Sequence, residues 1–173
     1  MFDAQQEAVI REVDRLKPEL LEISRFLHAH PELSFEEHQA SEFLTRTMER
    51  HGFAVTRKVA GLPTAFTASI AAGDGPTIAF LAEYDALPGI GHACGHNLIA
   101  AMALGAGLGL AGVADDVGLT VTVVGTPAEE VGDDVLDRPV AEPDPGHLFS
   151  VQAVDRLAQV LVLLLEQLQR GFL

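Results

Sequence analysis

Cysteine is nearly absent from this chain. Cys94 stands alone among 173 residues, so no intrachain disulfide can form and a reducing compartment is expected. Basic side chains are scarce as well: 11 Lys and Arg face 25 Asp and Glu, for a formal net charge of −14. Nucleic-acid binding needs Lys and Arg to displace counterions from phosphates, and an anionic membrane surface makes the same demand. Both are excluded as partners by this balance, and the acidity is read as a contribution to solubility. Long apolar runs are missing too. The longest, residues 160–165, is far shorter than the roughly 20 residues of a spanning helix. The opening Met-Phe-Asp-Ala-Gln-Gln-Glu lacks the basic and apolar regions of a signal peptide. A soluble, cytoplasmic protein is the expectation.

Against these absences stands one dense segment. Residues 83–96 read Glu-Tyr-Asp-Ala-Leu-Pro-Gly-Ile-Gly-His-Ala-Cys-Gly-His, placing Glu83, Asp85, His92, Cys94 and His96 within fourteen positions. Thiolate, imidazole and carboxylate are the side chains that hold zinc and similar divalent ions. The segment follows an apolar strand, so a metal site at the carboxyl end of that strand is expected.

The length suits one domain with a real core. Residues 4–29 carry Val9, Val13, Leu16, Leu20, Ile23 and Leu27 at helical spacing, with Pro18 as a kink or restart. Ser34 and Glu37 have capping-box spacing and predict a second helix with Ala40, Phe43, Leu44 and Met48 inward, stopped at Gly52. Strands are predicted at 53–59, 64–71 and 77–83, and the third reads as a central, fully buried strand. A helix rich in Ala and Gly follows over 97–112. There Ala103, Gly107 and Ala111 share a face that predicts close approach to the sheet. Residues 119–125 form another buried strand. Sheet and helices in this order indicate an α/β fold. From 131 the chain turns acidic and proline-containing, and Ser150 is placed to cap a last apolar helix over 150–173.

Cys94 and His96 are the strongest ligand candidates, because alternating loop residues between strand and helix can point to one ion. Glu129 and Glu130 end the next strand. Adjacent carboxylates diverge, so one can bind metal while its neighbour takes a proton from water. Asp85 is suited to orient a ligand or to bridge metals. His28 and His30, at a helix end, read as structural, and His38 and His51 as helix-surface residues.

Three motifs in order, at 28–37 (His-Ala-His-Pro-Glu-Leu-Ser-Phe-Glu-Glu), 83–96 and 125–130 (Gly-Thr-Pro-Ala-Glu-Glu), resemble the aminoacylase/carboxypeptidase amidohydrolases, metallopeptidase family 20. The form of the middle motif looks most like the aminobenzoyl-glutamate hydrolase and aminoacylase-1-like branch. The resemblance covers residues 5–130. It implies a zinc-peptidase-like catalytic domain with a central sheet flanked by helices, and two divalent metals per site, zinc or manganese. It also implies hydrolysis of amide bonds in N-acyl amino acids or small dipeptide-like substrates. By resemblance Cys94, His96 and Glu130 are metal ligands, Glu129 is the general base and Asp85 supports the centre.

The family pattern also implies a chain more than twice this length, with an inserted lid or dimerisation domain. Its later histidine ligand has no counterpart here, and His147, a weaker ligand candidate, is only an alternative position for the last histidine. The expected organisation is therefore a truncated, incomplete catalytic domain over 1–130, a linker over 131–149 and an apolar helix over 150–173. The rival expectation is a non-catalytic remnant, acting as a homo-oligomer or metal-binding module.

Overall fold

A computed structural model describes residues 4–71 and 75–130. The first predicted stripe becomes α1, Ala4–Ala29, with Val9, Val13, Leu16, Leu20, Ile23 and Leu27 all buried; the helix runs unbroken through Pro18. The second helix, α2, spans His38–Arg50 and buries Ala40, Leu44 and Met48. Phe43 is partly buried and stacks on Phe26 of α1, ring centroids 4.2 Å apart.

The predicted capping box does not form. Glu32, from farther upstream, accepts the backbone N–H of Gln39 at 3.0 Å and of Ala40 at 2.9 Å, and so satisfies the free donors of the first turn of α2. Ser34 and Glu37 direct their side chains elsewhere. A three-residue spacing identifies a box only when no other carboxylate reaches the same donors.

Four strands follow: β1 (Ala54–Arg57), β2 (Phe66–Ala71), β3 (Thr77–Glu83) and β4 (Thr120–Thr126). They form one sheet in the order β1-β2-β4-β3, antiparallel except for the parallel pair β3 and β4. Parallel neighbours need a long crossover, here α3 (His96–Ala111) followed by the short α4 (Ala114–Val117).

The expectation of a central, fully buried β3 is corrected. Among the described residues β3 is an edge strand, with Ile78, Phe80 and Ala82 buried and Leu81 57% exposed. The helices α1 and α3 lie on the buried face, and a short apolar run does not say how many faces are covered.

The helix α3 lies between α1 and the parallel strands. A Cβ on Gly107 would stand 2.5 Å from Val123 Cγ2 of β4, and one on Gly105 would stand 2.9 Å from Leu20 Cδ1 of α1. The small residues thus set the spacing of three layers, as the 103–107–111 face predicts. The architecture is mixed α/β, a sheet flanked by helices. No described helix is long and apolar enough to cross a membrane. The predicted 131–149 linker, the 150–173 helix and His147 lie outside the described residues, as does the apolar face on which the oligomer expectation rested.

Candidate metal centre

The parallel pair puts two chain ends side by side. Glu83 is the register partner of Thr126, so residues following β3 and β4 leave the sheet at the same edge. Asp85 comes two residues after β3, and Glu129 and Glu130 come just beyond β4. A turn closed by Leu87 N–H donating to Gly91 O at 2.9 Å brings the chain round to Cys94. Gly95, at φ +89°, then opens α3 with His96 as its first residue. Strand ends and a helix start converge, the usual location of sites on α/β sheets.

The imidazole of His96 is the hub. Its Nδ1 lies 2.9 Å from Asp85 Oδ1 and 3.0 Å from the Asp85 carbonyl oxygen. Both of these only accept, so Nδ1 carries a proton, and in the neutral ring Nε2 holds the lone pair a metal would take. Around Nε2 stand Glu129 Oε2 at 3.4 Å, Glu83 Oε2 at 3.5 Å and Glu130 Oε1 at 3.7 Å. Two sets of donors lie close enough to share an ion: Cys94 with His96 and Glu130, and Glu83 with His96 and Glu129.

Electrostatics favours a cation at this point. Burial first, with the charges of Glu129, Asp85 and Glu130 adding to it, pushes the Glu83 carboxyl above its ordinary value against the pull of His96. Burial likewise pushes the Cys94 thiol up, and the Glu130 carboxylate contributes in the same direction. Carboxylates crowded at one point repel one another. A divalent ion among them reverses the sign of each contact, and thiol, imidazole and carboxylate are the donors such an ion takes. The residues fit a divalent metal.

The structure brings Cys94, His96, Glu129 and Glu130 together, with Asp85 behind His96. Asp85 is fully buried, and its Oδ2 accepts from Ser34 Oγ at 2.9 Å and from Glu130 N–H at 3.0 Å. His92 does not join them, despite its alternation with Cys94 and His96. It belongs to neither donor set, and its buried ring nitrogens make no well-formed hydrogen bond. Burial holds it below the ordinary imidazole value, with the imidazoles of His96 and His28 adding to the effect, and so favours the neutral form.

His30 Nδ1 lies 2.8 Å from Phe26 O, and its ring stacks on Phe26, the structural role predicted for it. Glu83 stood in the ligand-rich segment with no role of its own, although its spacing from Asp85 places both side chains on one side of an extended segment. Sequence reasoning passed over Ser34 and Glu37, whose partners are distant in sequence.

No known family profile matches the chain. The Xaa-Arg dipeptidase of Mus musculus is 44% identical over 138 residues, covering 72% of this chain and 32% of that protein. A component of the p-aminobenzoyl-glutamate hydrolase of Escherichia coli K12 is 39% identical over 122 residues, covering 60% and 25%. Among solved structures, a dinuclear metal-binding peptidase of the M20 family from Bacillus subtilis superimposes with a TM-score of 0.56 at 31% identity, covering 68% of this chain and 37% of that one. The chain spans about a third of the length of the Xaa-Arg dipeptidases it matches.

Proposed function

Since the chain belongs to metallopeptidase family 20, the M20 amidohydrolases and peptidases, we propose that it carries part of a metal-dependent centre for hydrolysing the amide bond of N-acyl amino acids or dipeptide-like substrates. The observation that carries this reading is the crowding of Glu83, Glu129 and Glu130 on His96 Nε2, with Cys94 in the same cluster. Cys94, His96 and Glu130 are the ligands. Zinc is the first choice and manganese the second, because a thiolate suits the softer ion.

A bound divalent ion supplies a Lewis acid that polarises the scissile carbonyl. Glu129, more exposed than Glu130, takes the proton from the attacking water and returns it to the leaving amine. Asp85 keeps His96 in the tautomer that leaves Nε2 free, and its Oδ2 holds the backbone that carries Glu130. Both donor sets share His96, and one imidazole nitrogen serves one ion. The described residues therefore account for one ion of the pair that the name of the Bacillus subtilis enzyme records.

The test is an assay of the 173-residue chain with zinc or manganese on N-acyl amino acids, dipeptides ending in Arg and p-aminobenzoyl-glutamate. Turnover that falls about 100-fold or more in Glu129→Gln, with metal affinity kept, is expected. Metal uptake without turnover on any of these would favour the rival reading, a metal-binding module. No uptake at all would end both.

A further inference from the structure

The motif at 28–37 contributes no residue to the cluster on His96, yet it contains Glu37, a carboxylate with no exposure to solvent. No cation pairs with it among the described residues. Three neutral donors hold it instead: the backbone N–H groups of Phe35 at 2.8 Å and Ala128 at 3.0 Å on Oε1, and Thr64 Oγ1 at 2.8 Å on Oε2. Burying a carboxyl group costs free energy that hydrogen bonds must offset, and here every one of them comes from a neutral donor. Capping α2 does not explain its place, because Glu32 already caps that helix.

The geometry of its partners supplies the answer. Phe35 and Ala128 are both non-glycine residues in the left-handed region, at φ +66° and +63°, and both give their N–H to the same Glu37 oxygen. Strained backbone of this kind persists only where its surroundings hold it. Ala128 immediately precedes Glu129 and Glu130, so its conformation sets the direction in which both carboxylates leave β4.

Ser34, on the same turn, donates to Asp85 Oδ2, the oxygen that also receives Glu130 N–H. The turn is joined to the end of β3 as well, through Ala86 N–H to Glu32 O at 2.8 Å and a bridge between Leu33 and Ala86. We propose that the turn 32–37 is the positioning element of the metal centre: Glu37 aims Glu129 and Glu130, and Ser34 locks Asp85 behind His96. The inference rests on the metal-site reading above and extends it to residues that touch neither metal nor substrate.

Calorimetry with zinc, and cobalt spectra reporting the Cys94 thiolate, test it on the full chain with thermal melts alongside. Glu37→Ala is expected to weaken zinc at least tenfold per folded molecule, and Ser34→Ala several-fold. Glu37→Gln, which keeps an oxygen for both backbone donors, should bind near the original affinity. Met48→Ala, a core truncation elsewhere on α2, should melt earlier and bind zinc unchanged. Should Glu37→Ala fail to fold, Ser34→Ala carries the test. Zinc affinities that match the original chain in the folded variants would reduce the turn to a structural part and overturn the inference alone. No zinc uptake by the original chain would overturn the site reading and the inference together.

Discussion

At the residue scale the centre depends on two protons held in particular places. His96 keeps one on Nδ1 because Asp85 offers acceptors there, and Cys94 must lose one for its sulfur to bind metal. Burial raises the Cys94 thiol above its ordinary value, so it is protonated near neutrality and metal must displace that proton. Zinc affinity should therefore climb with pH, by up to about tenfold per unit, until the thiol itself ionises. Calorimetry from about pH 6.5 to about pH 8.5, in buffers of different ionisation enthalpy, would count the proton released. Cys94→Ala should flatten that slope and weaken zinc together. Asp85→Asn should weaken zinc about 10- to 100-fold, since an amide can press its N–H on His96 Nδ1 and favour the wrong tautomer. Equal affinity in Asp85→Asn would remove Asp85 from the centre.

Sequence spacing exposed only some of this. Cys94, His96 and the Glu129–Glu130 pair were legible because ligand types cluster in the loops that follow two apolar strands. Glu37 and Ser34 were not, because they reach across 91 and 51 residues to Ala128 and Asp85, and no local pattern encodes such a pairing.

At the element scale the crossover helix α3 decides where the site sits. Its glycines have low helix propensity, and its place between α1 and the sheet compensates. The two close approaches differ in what they meet. A Cβ at Gly107 would meet a methyl of Val123, a fully buried and stiff β-branched side chain; one at Gly105 would meet the flexible end of Leu20. Gly107→Ala should therefore lose about 1–3 kcal/mol to overpacking, more than the gain in helix propensity returns. Gly105→Ala should lose clearly less. Urea denaturation midpoints with unchanged m-values would check the order, and the reverse order would refute the packing account.

The small-residue face of α3 was readable from a four-residue period. The edge position of β3 was not, because an apolar strand looks the same whether one face or two are covered.

At the scale of the whole molecule, the proposed site couples metal to fold. The proposed ligands Cys94, His96 and Glu130 come from the start of α3 and from just beyond β4, so an ion that binds only the folded chain would tie these two junctions together. Zinc at about 100 times its dissociation constant should add about 2.7 kcal/mol to the stability of the folded state, and a chelator should reverse the gain. Thermal melts at several zinc concentrations would show it. A melting temperature that ignores zinc would mean that no site is built on folding.

Among the described residues the sequence alone located the main helices and strands, because apolar periodicity is local. It also determined the chemistry available, because Cys94, His96 and Glu130 are the donor types a divalent ion takes. The tertiary structure decided the rest. Only folding brings Asp85 to Nδ1 and Glu83 to Nε2 of His96 and passes α2 capping to Glu32. Only folding leaves Glu37 free to hold the Ala128 turn. These are contacts between segments far apart in the chain, and their energies depend on burial and distance, which no spacing along a sequence records.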